Sequence, residues 1–269
     1  MDFSVTDSWI PRISSNNIVG TTISIPGITL PITNVRSHIS VWDNGTEISH
    51  FETPFTPATV SGTSVFTTFD TIPLTILPTS HDAFSSLVTT LVTSHSKTVT
   101  LEGSVDIQFQ LGFFLGSQTL SGIGFKTKHV YVGLNGLPDV HFVSLVDNTK
   151  DEANKKQTLT FKINIKSPSN MKLKLGDVVL NAAGPIGIIG ATTLKDVILD
   201  NGDNIITAIT VIDLTLAGAT DFVGRLEVAD GTLILSGFAG SSHNEAIIPG
   251  LQALRITLVV PKMFTAVAA

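Results

Sequence analysis

The chain contains no cysteine, which removes disulfide staples, thiolate nucleophiles and Cys-ligated zinc together. Charge is scarce as well: Asp, Glu, Lys and Arg make up 14% of 269 residues, and the balance is −6 at pH 7. Nucleic-acid binding draws its affinity from basic clusters facing phosphates, so no nucleic-acid partner is expected. Met1–Pro11 has no basic start followed by an apolar stretch, so it does not read as a signal peptide. The longest apolar run, Val178–Leu194, is interrupted by Asn181, Gly184, Pro185, Gly187 and Gly190. A membrane-spanning helix needs about 20 nearly uniform apolar residues, so this run reads instead as two buried strands and a turn. There is no phosphate-cradling glycine loop and no Gly-x-Ser-x-Gly elbow. The histidines at 38, 50, 81, 95, 129, 141 and 243 form no His-x-His or His-x-x-x-His pair, so local spacing supplies no metal site. The expectation is a non-enzyme without cofactor or metal.

What is present points to strands. Apolar residues are 42% of the chain, enough for real cores, and Thr, Val, Ile and Phe are plentiful. Val35–Trp42 alternates, with Val35, Ser37, Ile39 and Val41 on one face, and Asn44-Gly45 follows as a hairpin turn. Asn44-Gly45-Thr46 is also a glycosylation acceptor on that turn. Further strands are read at Thr21–Ile25, Lys97–Phe109, Thr119–Val132, Val140–Val146, Thr158–Lys166, Met171–Leu180, Ile186–Leu194, Asn204–Leu216, Thr232–Gly237 and Leu254–Val260. Ser80–Thr93 breaks the pattern, with Phe84, Leu87, Val88 and Leu91 at helical spacing, and Asp221–Val228 is a second helical piece. Asp147–Lys156 reads as an exposed hairpin loop. Asp200–Asn204 looks superficially like a calcium loop, but it lacks the alternating oxygen ligands and closing Glu, so a turn is expected.

The organisation expected is an irregular segment over 1–20, a first β-sandwich module over 21–137, a second over 138–262 and a tail over 263–269. The length suits two domains, and each half ends with a helical piece, a Leu-x-Gly strand (Leu101–Gly103, Leu235–Gly237) and a last strand. Lys162 and Lys166 share a face opposite Phe161, Ile163 and Ile165, and Lys172 and Lys174 oppose Leu173 and Leu175. These four read either as the wet side of a sheet or as contacts to anionic headgroups. Phe113-Phe114-Leu115 between glycines reads as a buried turn or an apolar loop tip.

At Leu159–Ile165, Ser167-Pro168-Ser169-Asn170, Leu173–Val178, Ile188–Leu194 and Ile198–Asn204 the chain resembles the type 2 late-embryogenesis-abundant (water-stress and hypersensitive-response) domain. Ser167 stands where that family usually has Asn. Thr53–Gly62, Phe84–Val92 and Leu134–Pro138 are similar to a fungal branch of that superfamily, a domain family of unknown function. The resemblance implies fibronectin-like sandwiches with an apolar groove and a vacuolar-luminal or cell-surface setting. It implies a non-enzymatic module for a lipid or other apolar ligand. Candidate lining residues are Phe84, Leu87, Val88 and Leu91, and Phe222 and Leu226 of the second module. The other expectation is a structural or adhesive surface protein without a small-molecule ligand, self-associating through strand edges.

Overall fold

The computed structural model describes residues 2–4, 9–21, 31–61, 64–111 and 116–262. The chain divides into two compact units, Met1–Phe84 with Thr98–Tyr131, and Ser85–Lys97 with Val132–Ala269. The fold is all-β with a few short helices, and every strand register given below is antiparallel.

The first unit opens with β1 (Asp2–Ser4), β2 (Arg12–Thr21), β3 (Ile32–Asp43), β4 (Thr46–Glu52), β5 (Thr56–Ser61), β6 (Ser64–Pro73) and β7 (Thr75–Ile76). After helix α1 (His81–Thr93) come β8 (Ser96–Gln110) and β9 (Ser117–Val132). One sheet runs β1-β2-β6-β5 and the other β7-β4-β3-β8-β9. They join at a corner where Val35 of β3 pairs Thr56 of β5. Alternation does what the sequence predicts on β3: Val35, Ile39 and Val41 are buried while Arg36, His38 and Ser40 stay half-exposed. Phe51 on β4 and Phe69 on β6 fill the space between the sheets, with ring centroids 5.8 Å apart. Asn44 and Gly45 take φ of 48° and 84°, the doubly positive pair of a tight hairpin turn.

One expectation changes here. β2 is a strand within the segment read as irregular: its Ser and Asn residues hide it, and pairing with β6 (Ile13 against Ile72, both buried) supplies what local pattern does not. The strand read at Thr21–Ile25 lies outside the described residues beyond Thr21, as do Phe113–Leu115 and the 263–269 tail.

α1 forms from a Thr-rich sequence because packing holds it and because Thr90 and Thr93 turn their hydroxyls onto the carbonyls of Ser86 and Thr89. From Ser85 onward it falls with the second unit. There its C-terminal end receives the turn at Gly133–Leu137: Gly133 N–H bonds His95 O, Leu134 N–H bonds Leu91 O and Gly136 N–H bonds Val92 O.

The second unit continues with β10 (Val140–Asp151), β11 (Lys156–Ser167), β12 (Lys172–Ala183), β13 (Ile188–Leu199) and β14 (Gly202–Asp213). Then come α2 (Ala219–Val228), β15 (Gly231–Ser236), α3 (Ile248–Ala253) and β16 (Arg255–Val260). The pairing order is β10-β11-β14-β13-β12-β15-β16, with β12 turning the corner through three pairs to β15. Cα atoms of β10 and β16, the two ends of this order, come within 8 Å. Leu159, Phe161, Ile163 and Ile165 of β11 are almost wholly buried, each worth about 1.5–3 kcal/mol against exposure. The Thr192 and Thr210 hydroxyls, also fully buried, satisfy each other at 2.7 Å.

The expected loop at Asp147–Lys156 shrinks to the turn at residues 152–155, because hydrogen-bonded pairing of β10 with β11 continues out to Asp151 and Lys156. Asp200–Asn204 is the expected turn, pinned by Asn204 Nδ2 donating to the carbonyls of Ile165, Asp200 and Gly202. α3 went unread: six residues containing Pro249 and Gly250 carry no helical period.

Candidate functional site

The apolar candidates named from the sequence are mostly shut inside. Phe84, Leu87, Phe222 and Leu226 are 3%, 6%, 2% and 3% exposed. Phe222 and Leu226 close over Gly231, where an added Cβ would lie 2.6 Å from Leu226 Cδ2. Val88 and Leu91 are half-buried, and Val88 packs on Gly250 within the second unit. None of the six presents an open face.

The lysines split into two pairs. Lys162 and Lys166 are exposed on β11, opposite the buried residues the sequence predicts, and neither makes an ion pair among the described residues. Lys172 is half-buried and pairs with Asp200 at 3.4 Å, while Lys174 is exposed. β14 and β13 separate the pairs, so they stand about 14 Å apart and do not form one cluster. Leu173 and Leu175 are only half-buried, because bulges at Gly176 break the alternation of β12. Asn44 is exposed at the tip of its turn.

One group of exposed apolar side chains in the second unit lies on β10. Among the described residues this strand is paired on one side only, to β11. Its register slips twice, between Phe142 and Ser144 and again between Leu145 and Asp147. The bulges re-aim the side chains around them, and Val143, Leu145 and Val146 stand 48%, 38% and 56% exposed. Leu145 pairs with Phe161, and Phe142 stacks on Phe161 with centroids 5.7 Å apart, so this side of β10 borders the core. Three residues beyond Leu145, Asn148 accepts a hydrogen bond from Gln157 Nε2 at 2.7 Å. The signal was in the sequence: Phe142-Val143-Ser144-Leu145-Val146 holds two adjacent apolar pairs, which a regular two-residue period cannot place on one face.

The first unit gathers charge instead. Arg36 Nε and Nη2 donate to Asp106 Oδ2 at 3.0 and 2.6 Å, and Gly122 N–H donates to Asp106 Oδ1 at 2.9 Å. These bonds, Arg36 first, hold the Asp106 carboxyl below the usual carboxylate range. Arg36 also lies over the Phe55 ring, 4.8 Å from its centre. His38 stands between Glu52 (3.4 Å) and Asp106 (3.7 Å). Beside them is a shallow hollow of about 280 Å³ lined by residues including His38, His50, Glu52 and Ser104. Ser40 donates to Glu47 Oε1 at 2.7 Å, and His50 Nδ1 is 3.8 Å from that same oxygen. The carboxylate sits between hydroxyl and imidazole, an order that gives the serine no base and makes no nucleophilic triad. No group of three His, Asp or Glu placed to hold a metal ion occurs among the described residues. Local spacing could not reveal this cluster, because cross-strand registers of β3 with β4 and β8 assemble it.

Residues 49–182, just under half of the chain, match the family model described as Protein of unknown function (DUF3712). The match begins in β4 and ends in β12, so it crosses the division between the units. No curated protein matches the chain. The chain is similar to part of a solved structure concerned with inhibition of the exo-beta-D-glucosaminidase CsxA by a glucosamine-configured castanospermine and an amino-australine analogue. Identity is 10% and the TM-score 0.22, over 87% of this chain and 24% of that one. The chain thus spans about a quarter of that chain's length, and so slight a likeness bears on neither fold nor activity.

Proposed function

We propose that this chain is a non-catalytic β-sandwich module that binds a lipid or other apolar ligand, and that β10 is where the ligand meets it. One observation carries the reading: two bulges turn Val143, Leu145 and Val146 to solvent beside Phe142 and Phe161, on a strand that among the described residues is paired on one side. Clustered apolar side chains at an open strand mark a contact surface, and burying them is the gain on binding. Lys162, opposite Ser144, and Lys166 supply exposed cations on the neighbouring strand for a headgroup. No helix among the described residues is long and apolar enough to cross a membrane. The resemblance of Thr53–Gly62, Phe84–Val92 and Leu134–Pro138 to a fungal domain family of unknown function favours the luminal or outer side of a fungal vacuolar or surface membrane.

The test is native mass spectrometry after incubation with mixed-lipid vesicles, on the native chain and on Val146→Asp. The expected result is a stoichiometric lipid adduct lost in the variant, with unchanged thermal unfolding, since an exposed substitution shifts stability by only about 0.5 kcal/mol. A bare mass for the native chain overturns the reading. The structural or adhesive reading is favoured by a different observation: β9, sixteen residues long and mostly exposed, pairs among the described residues only with β8. It predicts concentration-dependent association in sedimentation without any lipid.

A further inference from the structure

The first unit holds a hollow that binding at β10 does not use. The registers of β3 with β4 and β8 set His38 opposite Glu52 and Ser104, and Ser40 opposite His50 and Glu102. Ile39 and Phe51 beside them are buried, so the pleat turns His38, Ser40, His50, Glu52 and Ser104 to the other face, where all five line the hollow of about 280 Å³. Their bonding is incomplete. The Ser104 and Glu52 side chains make no hydrogen bond among the described residues, and Glu52 has only looser ion-pair contacts, to His38 at 3.4 Å and Arg36 at 3.7 Å. His50 reaches only Glu47, through Nδ1 at 3.8 Å. Charge around the hollow is unbalanced too. Arg36 gives its shortest contact to Asp106, at 2.6 Å, and Lys126 is tied to Glu102, at 2.7 Å. Since Gly122 and Lys126 of β9 face Asp106 and Glu102, Gly124 falls beside Ser104, and Lys128 falls further off, beside Thr100. With neutral imidazoles, the carboxylates of Glu47 and Glu52 on β4 are left as the excess charge at the hollow.

We propose that this hollow takes a primary ammonium group, of a small amine or at the end of a lysine side chain. Glu52 supplies the opposite charge, and Ser104 and the imidazole nitrogens supply the remaining acceptors. The site stands apart from binding at β10, which lies in the other unit. An ammonium carries three donors and no acceptor, and every side chain lining the hollow can accept. A phosphate or carboxylate would bring only acceptor oxygens to Glu52 and Glu47. A metal ion fits less well, since no three His, Asp or Glu among the described residues are placed to hold one. The hollow is shallow and Glu52 exposed, so solvent screens the pairing and both affinity and selectivity are modest.

The experiment follows the imidazole proton signals of His38 and His50 by NMR in the full chain, assigned through His38→Gln and His50→Gln. The chain is titrated with n-propylammonium chloride or with n-propanol at about pH 8 and matched ionic strength. The two probes share a chain and differ in charge. Propylammonium is expected to move both signals saturably and to bind about three- to tenfold more tightly than propanol, the worth of one charge-assisted hydrogen bond at an exposed site. In Glu52→Gln that preference is expected to vanish with little change in thermal unfolding, because Glu52 is exposed. N-acetyl-lysine methylamide then assigns the source: tighter binding than propylammonium supports a lysine of a partner chain, and weaker binding supports a free amine. Equal binding of ammonium and alcohol, a preference that survives in Glu52→Gln, or no saturable shift with propylammonium overturns the proposal and leaves the hollow a hydrated face. The native-chain comparison decides the matter even if Glu52→Gln fails to fold.

Discussion

Asp106 ties three strands with one carboxylate: it takes two hydrogen bonds from Arg36 on β3 and one from the Gly122 backbone on β9 while standing on β8. Its folded-state carboxyl is depressed below the ordinary value. Such a group contributes stability that is present above the unfolded value near pH 4 and is lost as pH falls through the folded value. Asp106→Asn should therefore lower the urea midpoint at pH 7. It should also flatten the loss of stability below about pH 4, read from urea curves across pH. Tyr131 offers the opposite sign. It is the chain's sole tyrosine, and burial pushes its phenol up to about 12. Its contribution is whole below about pH 10 and is lost as pH rises through 12. Absorbance of the ionised phenol should rise near pH 12 in the folded protein, and near 10 once urea has unfolded it. Neither role was legible beforehand, because sequence spacing does not say which strands will be neighbours.

At the scale of elements, the pleat is the rule that holds and the bulge is where it stops holding. β3 and β11 were legible because strict alternation places their apolar side chains on one face, and Asn44-Gly45 announced its turn. β10 was legible as a strand, and its two adjacent apolar pairs signalled an irregularity, but where its two register slips fall follows from pairing with β11. β2 was hidden by polar side chains, and the helical residues offered as ligand contacts turned out buried, because a helix's apolar stripe looks the same whether it faces a core or a ligand. Two variants test the sheets directly. A Cβ on Gly190 of β13 would run into the Val211 carbonyl oxygen on β14, so Gly190→Ala should break the β13–β14 pairing and markedly lower the melting temperature. Phe161→Ala empties the centre of β11 and should cost about 3–5 kcal/mol in urea unfolding, whereas Lys162→Ala beside it should be nearly silent.

For the molecule as a whole, the division does not follow the order of the chain. Ser85–Lys97 lies inside the first unit's sequence yet packs with the second: Val88 and Val92 press on Gly250, where an added Cβ would lie 2.7 Å from Val88 Cγ1. A fragment cut at residue 132 therefore lacks a part of its own core. It should unfold at lower urea concentration than the second unit does in the full chain, and a fragment starting at residue 85 should not show that deficit. Synthesis meets the same arrangement in time. Once Lys97 has been added, roughly 150 further residues must follow before Gly250 exists, about 8–30 s at cellular rates. Throughout that interval Val88 and Val92 have been translated but Gly250, which they press on, has not, so the nascent chain must carry an uncovered apolar segment for most of its own production.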